Sequence, residues 1–256
     1  MNHLAATVTT EWLKIRKAKI FAISIMAMCL LPFVCGLFLF ILLHPGLAAS
    51  GLIAQKAQIM GAADWSSYFT MLNQMLSVGG ILIFGFITSW AFGREFSDRT
   101  AKDLFALPIP RCVVVIAKYS ALVIWCLLLT VMSLVVSVVL GFIINPPGFS
   151  FNILLNGSVI FIVSALLNIL LITPVSFFAS YGQGYLSPIG FIIFTILFGQ
   201  LGETLGIGAY CPWDFPAIYA GVVHDTVTAS GYLIFIIVVV AGFTATLAWW
   251  RYADQK

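Results

Sequence analysis

Charge is what this sequence has least of. Only 8% of its 256 residues are Asp, Glu, Lys or Arg, against ~25% in an ordinary soluble domain. With 62% apolar residues, a soluble fold would have too few polar side chains to cover its surface. A soluble enzyme, a disordered chain and a secreted disulfide scaffold are excluded together. Cysteine is sparse as well. Cys29, Cys35, Cys112, Cys126 and Cys211 form no CxxC and no Cys/His cluster, so neither a zinc site nor a disulfide framework has support. They read as small apolar packing residues. There is no Gly-x4-Gly-Lys-[Ser/Thr] to cradle ATP phosphates, no His-Glu-x-x-His, and no pair of acids inside an apolar run. No catalytic, cofactor-binding or metal-ligating residue is therefore assigned in this chain, and an energy source, if one is used, must come from elsewhere. The basic N-terminal stretch is too short and too close to an apolar run to point to nucleic acid.

What is present is six long apolar stretches, at about 20–43, 71–92, 119–144, 153–178, 186–205 and 231–250. A spanning helix needs ~20 such residues. A β-barrel would instead show ~10-residue stretches of alternation. The expected fold is an all-α membrane protein with six transmembrane helices in a single domain, 1–256. The first run is too long for a signal-peptide h-region of about 7–15 residues, so it reads as a retained helix.

The basic residues are segregated. Lys14, Arg16, Lys17 and Lys19 precede the first run; Arg94, Arg99, Lys102, Arg111 and Lys118 lie between the second and third; Arg251 and Lys256 follow the sixth. With six spans these regions share one side, leaving only Lys56 on the other. Basic loops stay in the cytoplasm, so both termini are expected there.

Three segments outside the spans carry information. In 1–19, Leu4, Val8, Trp12 and Ile15 recur every three to four residues, while Thr7, Glu11, Lys14 and Lys17 fall on other faces. This predicts an interfacial amphipathic helix, with Trp12 at the acyl boundary and Lys14, Arg16 and Lys17 at lipid head groups. The connector 93–118 is far longer than a turn requires. Glu95 with Arg99, Asp98 with Lys102, and Arg99 with Asp103 are i,i+4 pairs, each supporting an exposed helix by ~0.2–0.5 kcal/mol. Phe96, Thr100, Leu104 and Leu107 make a narrow apolar edge, and Pro108 and Pro110 stop the helix. Topology alone asks only for Lys and Arg. The paired acids suit docking on a protein surface. The segment 202–230 is rich in Gly, Pro and aromatics, and predicts short re-entrant or interfacial helices broken at Gly208 and Pro212. Glu203, Pro212, Trp213 and Pro216 are its candidate gate residues, and an ionisable Glu203 at a span end is a functional candidate.

Four pieces carry a family resemblance. They are Glu11-Trp12-Leu13-Lys14-Ile15-Arg16, then Glu95-x4-Thr100-x-Lys102-Asp103-Leu104-x2-Leu107-Pro108-x2-Arg111-x6-Lys118, then Pro212-Trp213-x2-Pro216-Ala217, and the six-span layout over essentially the whole chain. Together they resemble the permease subunits of bacterial type 2 ABC exporters, a family that includes bacitracin-resistance and lantibiotic-immunity permeases. Asp98-Arg99 stands where that family often has a small or Gly-containing turn.

The resemblance implies a bacterial plasma-membrane subunit that forms the pathway. It would pair with a second permease, identical or paralogous, and bind two cytoplasmic ABC ATPase subunits that supply ATP and Mg. It makes the connector a cytoplasmic coupling helix, with Glu95, Asp98, Arg99, Thr100, Lys102, Asp103 and Leu104 facing the ATPase. The cargo class it implies is an amphipathic or peptide antibiotic. Two other classes compete. A self-contained channel or secondary carrier would transport without an ATPase. A non-transporting shield or sensor would confer resistance beside a dead one.

Overall fold

The computed structural model describes residues 2–44, 63–98, 100, 109–221 and 226–252. Among these, the regular elements are all helical. In chain order they are α1 (Asn2–Lys17), α2 (Lys19–Leu43), α3 (Trp65–Ser97), α4 (Arg111–Ile144), α5 (Phe151–Leu170), α6 (Ile172–Tyr181), α7 (Leu186–Thr204), α8 (Phe215–Tyr219) and α9 (Ala229–Tyr252). Two 3₁₀ turns, Gly208–Tyr210 and Pro212–Asp214, lead into α8. Among the described residues, six stretches are long and apolar enough to cross a membrane: α2, α3, α4, α5 with α6, α7 and α9. The chain is a multi-pass membrane protein.

The helices outrun the apolar runs that announce them. α3 starts at Trp65 rather than at 71, because the Asp64 carboxylate caps it, accepting from the Ser67 backbone N–H at 2.8 Å. α4 starts at Arg111, directly behind Pro110, rather than at 119. Arg111 and Lys118, expected in the connector, therefore lie on α4. Hydropathy marks where lipid begins, whereas hydrogen bonding carries the helix on into water.

The fourth span is two helices, not one, divided at Leu171. Pro174 has no N–H to give the Leu170 carbonyl. The Thr173 hydroxyl compensates, sharing its proton between the carbonyls of Leu170 and Val239, both 3.0 Å away.

Inside the bundle, α3 and the α5–α6 pair are the most enclosed, while α2, α4, α7 and α9 present most of their surface outward. Apolar side chains gain little by leaving lipid for protein, so close packing and interhelical hydrogen bonds must hold the bundle. Several of the main contacts carry one. Ser133 donates to the Met28 carbonyl (3.2 Å), Tyr68 to Ser137 (2.9 Å) and Asn168 to Leu76 (3.1 Å). Tyr119, Ser176 and Thr246 join α4, α6 and α9 in a buried hydroxyl cluster, and the Trp250 indole N–H donates to Ser180 at 2.9 Å.

Glycine permits a close backbone approach between spans. A methyl group on Gly242 would stand 2.5 Å from the Pro174 nitrogen and 2.7 Å from the Thr173 carbonyl carbon. Both are backbone atoms that cannot swing away. Gly242→Ala is expected to destabilise the fold by about 1–3 kcal/mol, read as a lowered midpoint of thermal unfolding in detergent. Gly190→Ala, which would meet nothing within 4 Å, is expected to leave that midpoint unchanged.

Candidate functional site

The end of the bundle that carries α1 gathers four charges, three of them buried and the fourth, Lys14, half-buried. Glu11 and Lys14 come from α1, Glu95 from the last turn of α3, and Lys118 from the third turn of α4. Glu11, Glu95 and Lys118 are 6%, 5% and 2% exposed, values that ionic side chains reach only when paired. The Lys118 ammonium lies 2.9 Å from Glu11 Oε2 and 2.8 Å from Glu95 Oε1. Lys14 lies 2.6 Å from Glu11 Oε1 and 2.9 Å from Glu95 Oε1. Acids and bases thus alternate in a closed ring of zero net charge.

An ammonium has three N–H donors. Lys118 spends the third on the Ala91 carbonyl at 3.1 Å. The rings of Phe92 and Trp250 cover it at 5.9 and 6.0 Å. Every hydrogen of this buried cation is placed, which is the condition for a buried ion to be tolerated.

Burial alone would push the Glu11 carboxyl up, but the ammonium groups of Lys118 and Lys14 more than offset it and hold it below its ordinary 4.5. Burial would likewise push Lys14 down, and the carboxylates of Glu95 and Glu11 instead hold it above its ordinary 10.5. A cleft of about 420 Å³ opens beside the ring, lined by Lys14, Trp90, Arg94, Glu95, Asp98 and Thr100 among others.

Glu95 and Asp98 are the described members of the pairs expected in the connector. Glu95 does not lie on an exposed helix face. It is buried on α3 and bound to Lys14 and Lys118, because a carboxylate removed from water takes the ammonium groups that are removed with it. Asp98 caps the end of α3, exposed, with its carboxylate 3.1 Å from Arg94 Nε. The Thr100 hydroxyl reaches the Glu95 carbonyl at 3.5 Å. Arg99, Lys102, Asp103 and Leu104 lie outside the described residues.

On α1, the face turned to the bundle includes Glu11, Trp12 and Ile15, while Leu4 is turned outward. Trp12 meets Trp125 edge to face at 5.8 Å. Arg16 and Lys17 are exposed. Glu11 and Lys118 are thus members of the site that sequence reasoning did not single out. The signal was an acid in an otherwise basic helix and a lysine at the head of an apolar run.

At the opposite end, Glu203 is exposed on the last turn of α7, Trp213 is half-buried, and Pro212 and Pro216 are buried. Asp214, not among the expected residues, is buried against Gly199 and Gly202, whose missing side chains make room for its carboxylate. Burial first, and the Asp214 carboxylate second, push the neighbouring Cys211 thiol up to about 12. A cleft of about 170 Å³ here is lined by Gln74, Ser77, Gln200, Glu203, Trp213 and Asp214 among others. Among the described residues, no three of His, Cys, Asp and Glu converge as a metal site.

The model of the ABC-2 family transporter proteins matches residues 7–199, three quarters of the chain and every member of the charged ring. The chain belongs to the ABC-2 transporter family. It is also 27% identical, over 135 residues, to the bacitracin transport permease protein BCRB of Bacillus licheniformis. That stretch is 53% of this chain and spans 65% of the relative's length. This ABC-2 chain, with six helices long and apolar enough to cross a membrane among its described residues, is a membrane protein of that transporter family.

Two outcomes follow from the ring. Lys118→Met removes its central cation and leaves Glu11 and Glu95 facing each other with Lys14 alone. A loss of about 3 kcal/mol or more is expected, measured as a lowered denaturation midpoint. The pH dependence has two arms. A lowered Glu11 pKa gives stability that is present above 4.5 and lost as pH falls through the folded value. A raised Lys14 pKa gives stability that is present below 10.5 and lost as pH rises through the folded value. Amide-exchange protection of α1, corrected for intrinsic rates, should therefore be flat between pH 4.5 and 10.5 and fall only beyond.

Proposed function

We propose that this chain is the pathway-forming permease of an ATP-driven exporter in a bacterial plasma membrane, with both termini in the cytoplasm. Two cytoplasmic ABC ATPase subunits, which bind ATP and Mg, dock on the segment that follows α3. A second permease, identical or paralogous, completes the pathway. The cargo is an amphipathic or peptide antibiotic, and the activity serves resistance or immunity. The similarity to a bacitracin transport permease supports that cargo class.

One observation carries the coupling part of this reading. Glu95 sits two residues before the end of α3 and is locked to α1 and α4 by the ring. A push on the segment starting at Asp98 is delivered to three helices at once. Asp98, Arg99, Thr100, Lys102, Asp103 and Leu104 are the proposed contacts with the ATPase, and Glu95 is the root that transmits the displacement. ATP binding closes the ATPase pair, moves both roots and switches the side from which the pathway is open. At the far end, Glu203 and the Pro212, Trp213 and Pro216 segment form the outer gate.

The test is to replace Asp98, Arg99 and Lys102 together by Ala, leaving Glu95 and the ring intact. ATPase recovered with the tagged chain from its host in mild detergent should fall about tenfold or more, a loss of ~1.4 kcal/mol in docking. Undiminished recovery overturns the docking assignment. Flux catalysed by this chain alone in liposomes would turn the reading to a channel or carrier.

A further inference from the structure

A second feature of the same end is independent of the ATPase. Between α1 and α2 the chain turns at Ala18, whose backbone is extended (φ −90°, ψ 157°). Lys17 closes one helix and Lys19 opens the next. A notch of about 560 Å³ lies between this corner and α3. Leu13, Ala18 and Trp90 wall it, and Lys17, Lys19 and Arg94 rim it. Arg94 is held by Asp98 at 3.1 Å and stacks on the Trp90 ring at 5.2 Å. Lys14 also borders the notch but is committed to Glu11 and Glu95. Lys17 and Lys19 are exposed and pair with no carboxylate among the described residues.

Two unneutralised ammonium groups above apolar walls match one kind of molecule. A phosphodiester satisfies the rim, and glycerol with the first acyl methylenes covers Leu13 and Trp90. The level is right, because Lys19 is the first residue of a membrane span and so stands where head groups lie. A free phosphate would use the rim and leave the walls wet. We propose that this notch is a discrete binding site for the head group of an anionic phospholipid, with Lys17 and Lys19 as its charged contacts. The bound lipid then holds the corner between the amphipathic helix and the first span.

The experiment is native mass spectrometry of the detergent-purified full chain, titrated with phosphatidylglycerol or with phosphatidylcholine. The wild type should take up phosphatidylglycerol stoichiometrically and in preference to phosphatidylcholine. The K17Q/K19Q pair should bind it roughly 25-fold more weakly, and K17R/K19R, which keeps both charges, should bind like the wild type. Both lysines are exposed, and an unchanged thermal midpoint establishes that the neutral pair still folds. Equal binding by K17Q/K19Q and wild type, equal uptake of the two lipids, or displacement of phosphatidylglycerol by millimolar inorganic phosphate would each overturn the proposal.

Discussion

Two carboxylates and one ammonium group withheld from water have to be satisfied, with the half-buried Lys14 closing the ring, and that requirement decides where the N-terminal helix goes. α1 has too few apolar residues to fasten itself by burial alone. Ile15 and Trp12 pack against the bundle, yet Leu4 and Leu13 stay largely exposed. The ring supplies what the apolar face lacks. A buried charge pair is seldom a large net source of stability, because desolvation consumes most of the attraction. Its value here is selectivity. Only one docking of α1 brings Glu11 to Lys118, and every other leaves a bare ion in a low dielectric.

The rest of the bundle is fastened by the same logic at lower stakes. The hydroxyls of Tyr68 and Ser133, the amide of Asn168 and the indole of Trp250 cross from helix to helix and find a carbonyl or another hydroxyl. The cluster of Tyr119, Ser176 and Thr246 lies on the α6 half of the broken fourth span, and Gly242 lets α9 touch the backbone beside the break. The polar fastenings and the close backbone contact converge on α6. It is the short helix that neither a long apolar stretch nor a cap would hold by itself.

The sequence analysis recovered the six spans because long apolar runs leave a chain of this composition no other structure in lipid. It recovered an amphipathic N-terminal helix because period and polarity are local. It placed Lys118 in a connector because a lysine at the head of an apolar run looks the same whether it faces solvent or turns inward. It did not find the ring partners of Glu95, because only i,i+3 and i,i+4 neighbours can be seen in one dimension. The partners found in the fold, Lys118 and Lys14, stand 23 and 81 residues away. Asp214 went unremarked for a related reason: the space it occupies is made by Gly199 and Gly202, and an absent side chain announces nothing until two helices meet.

The single-residue corner at Ala18 has a phase as well as a place. α1 and α2 are otherwise nearly continuous, so the direction in which Glu11 points is geared to the direction in which the first span enters the membrane. Each residue added to or removed from a helix turns its faces by about 100°. The corner therefore works as a keyed coupling rather than a loose tether. The length of the chain there, and not only its composition, sets whether the acid of α1 arrives opposite Lys118 or on the far side of its helix.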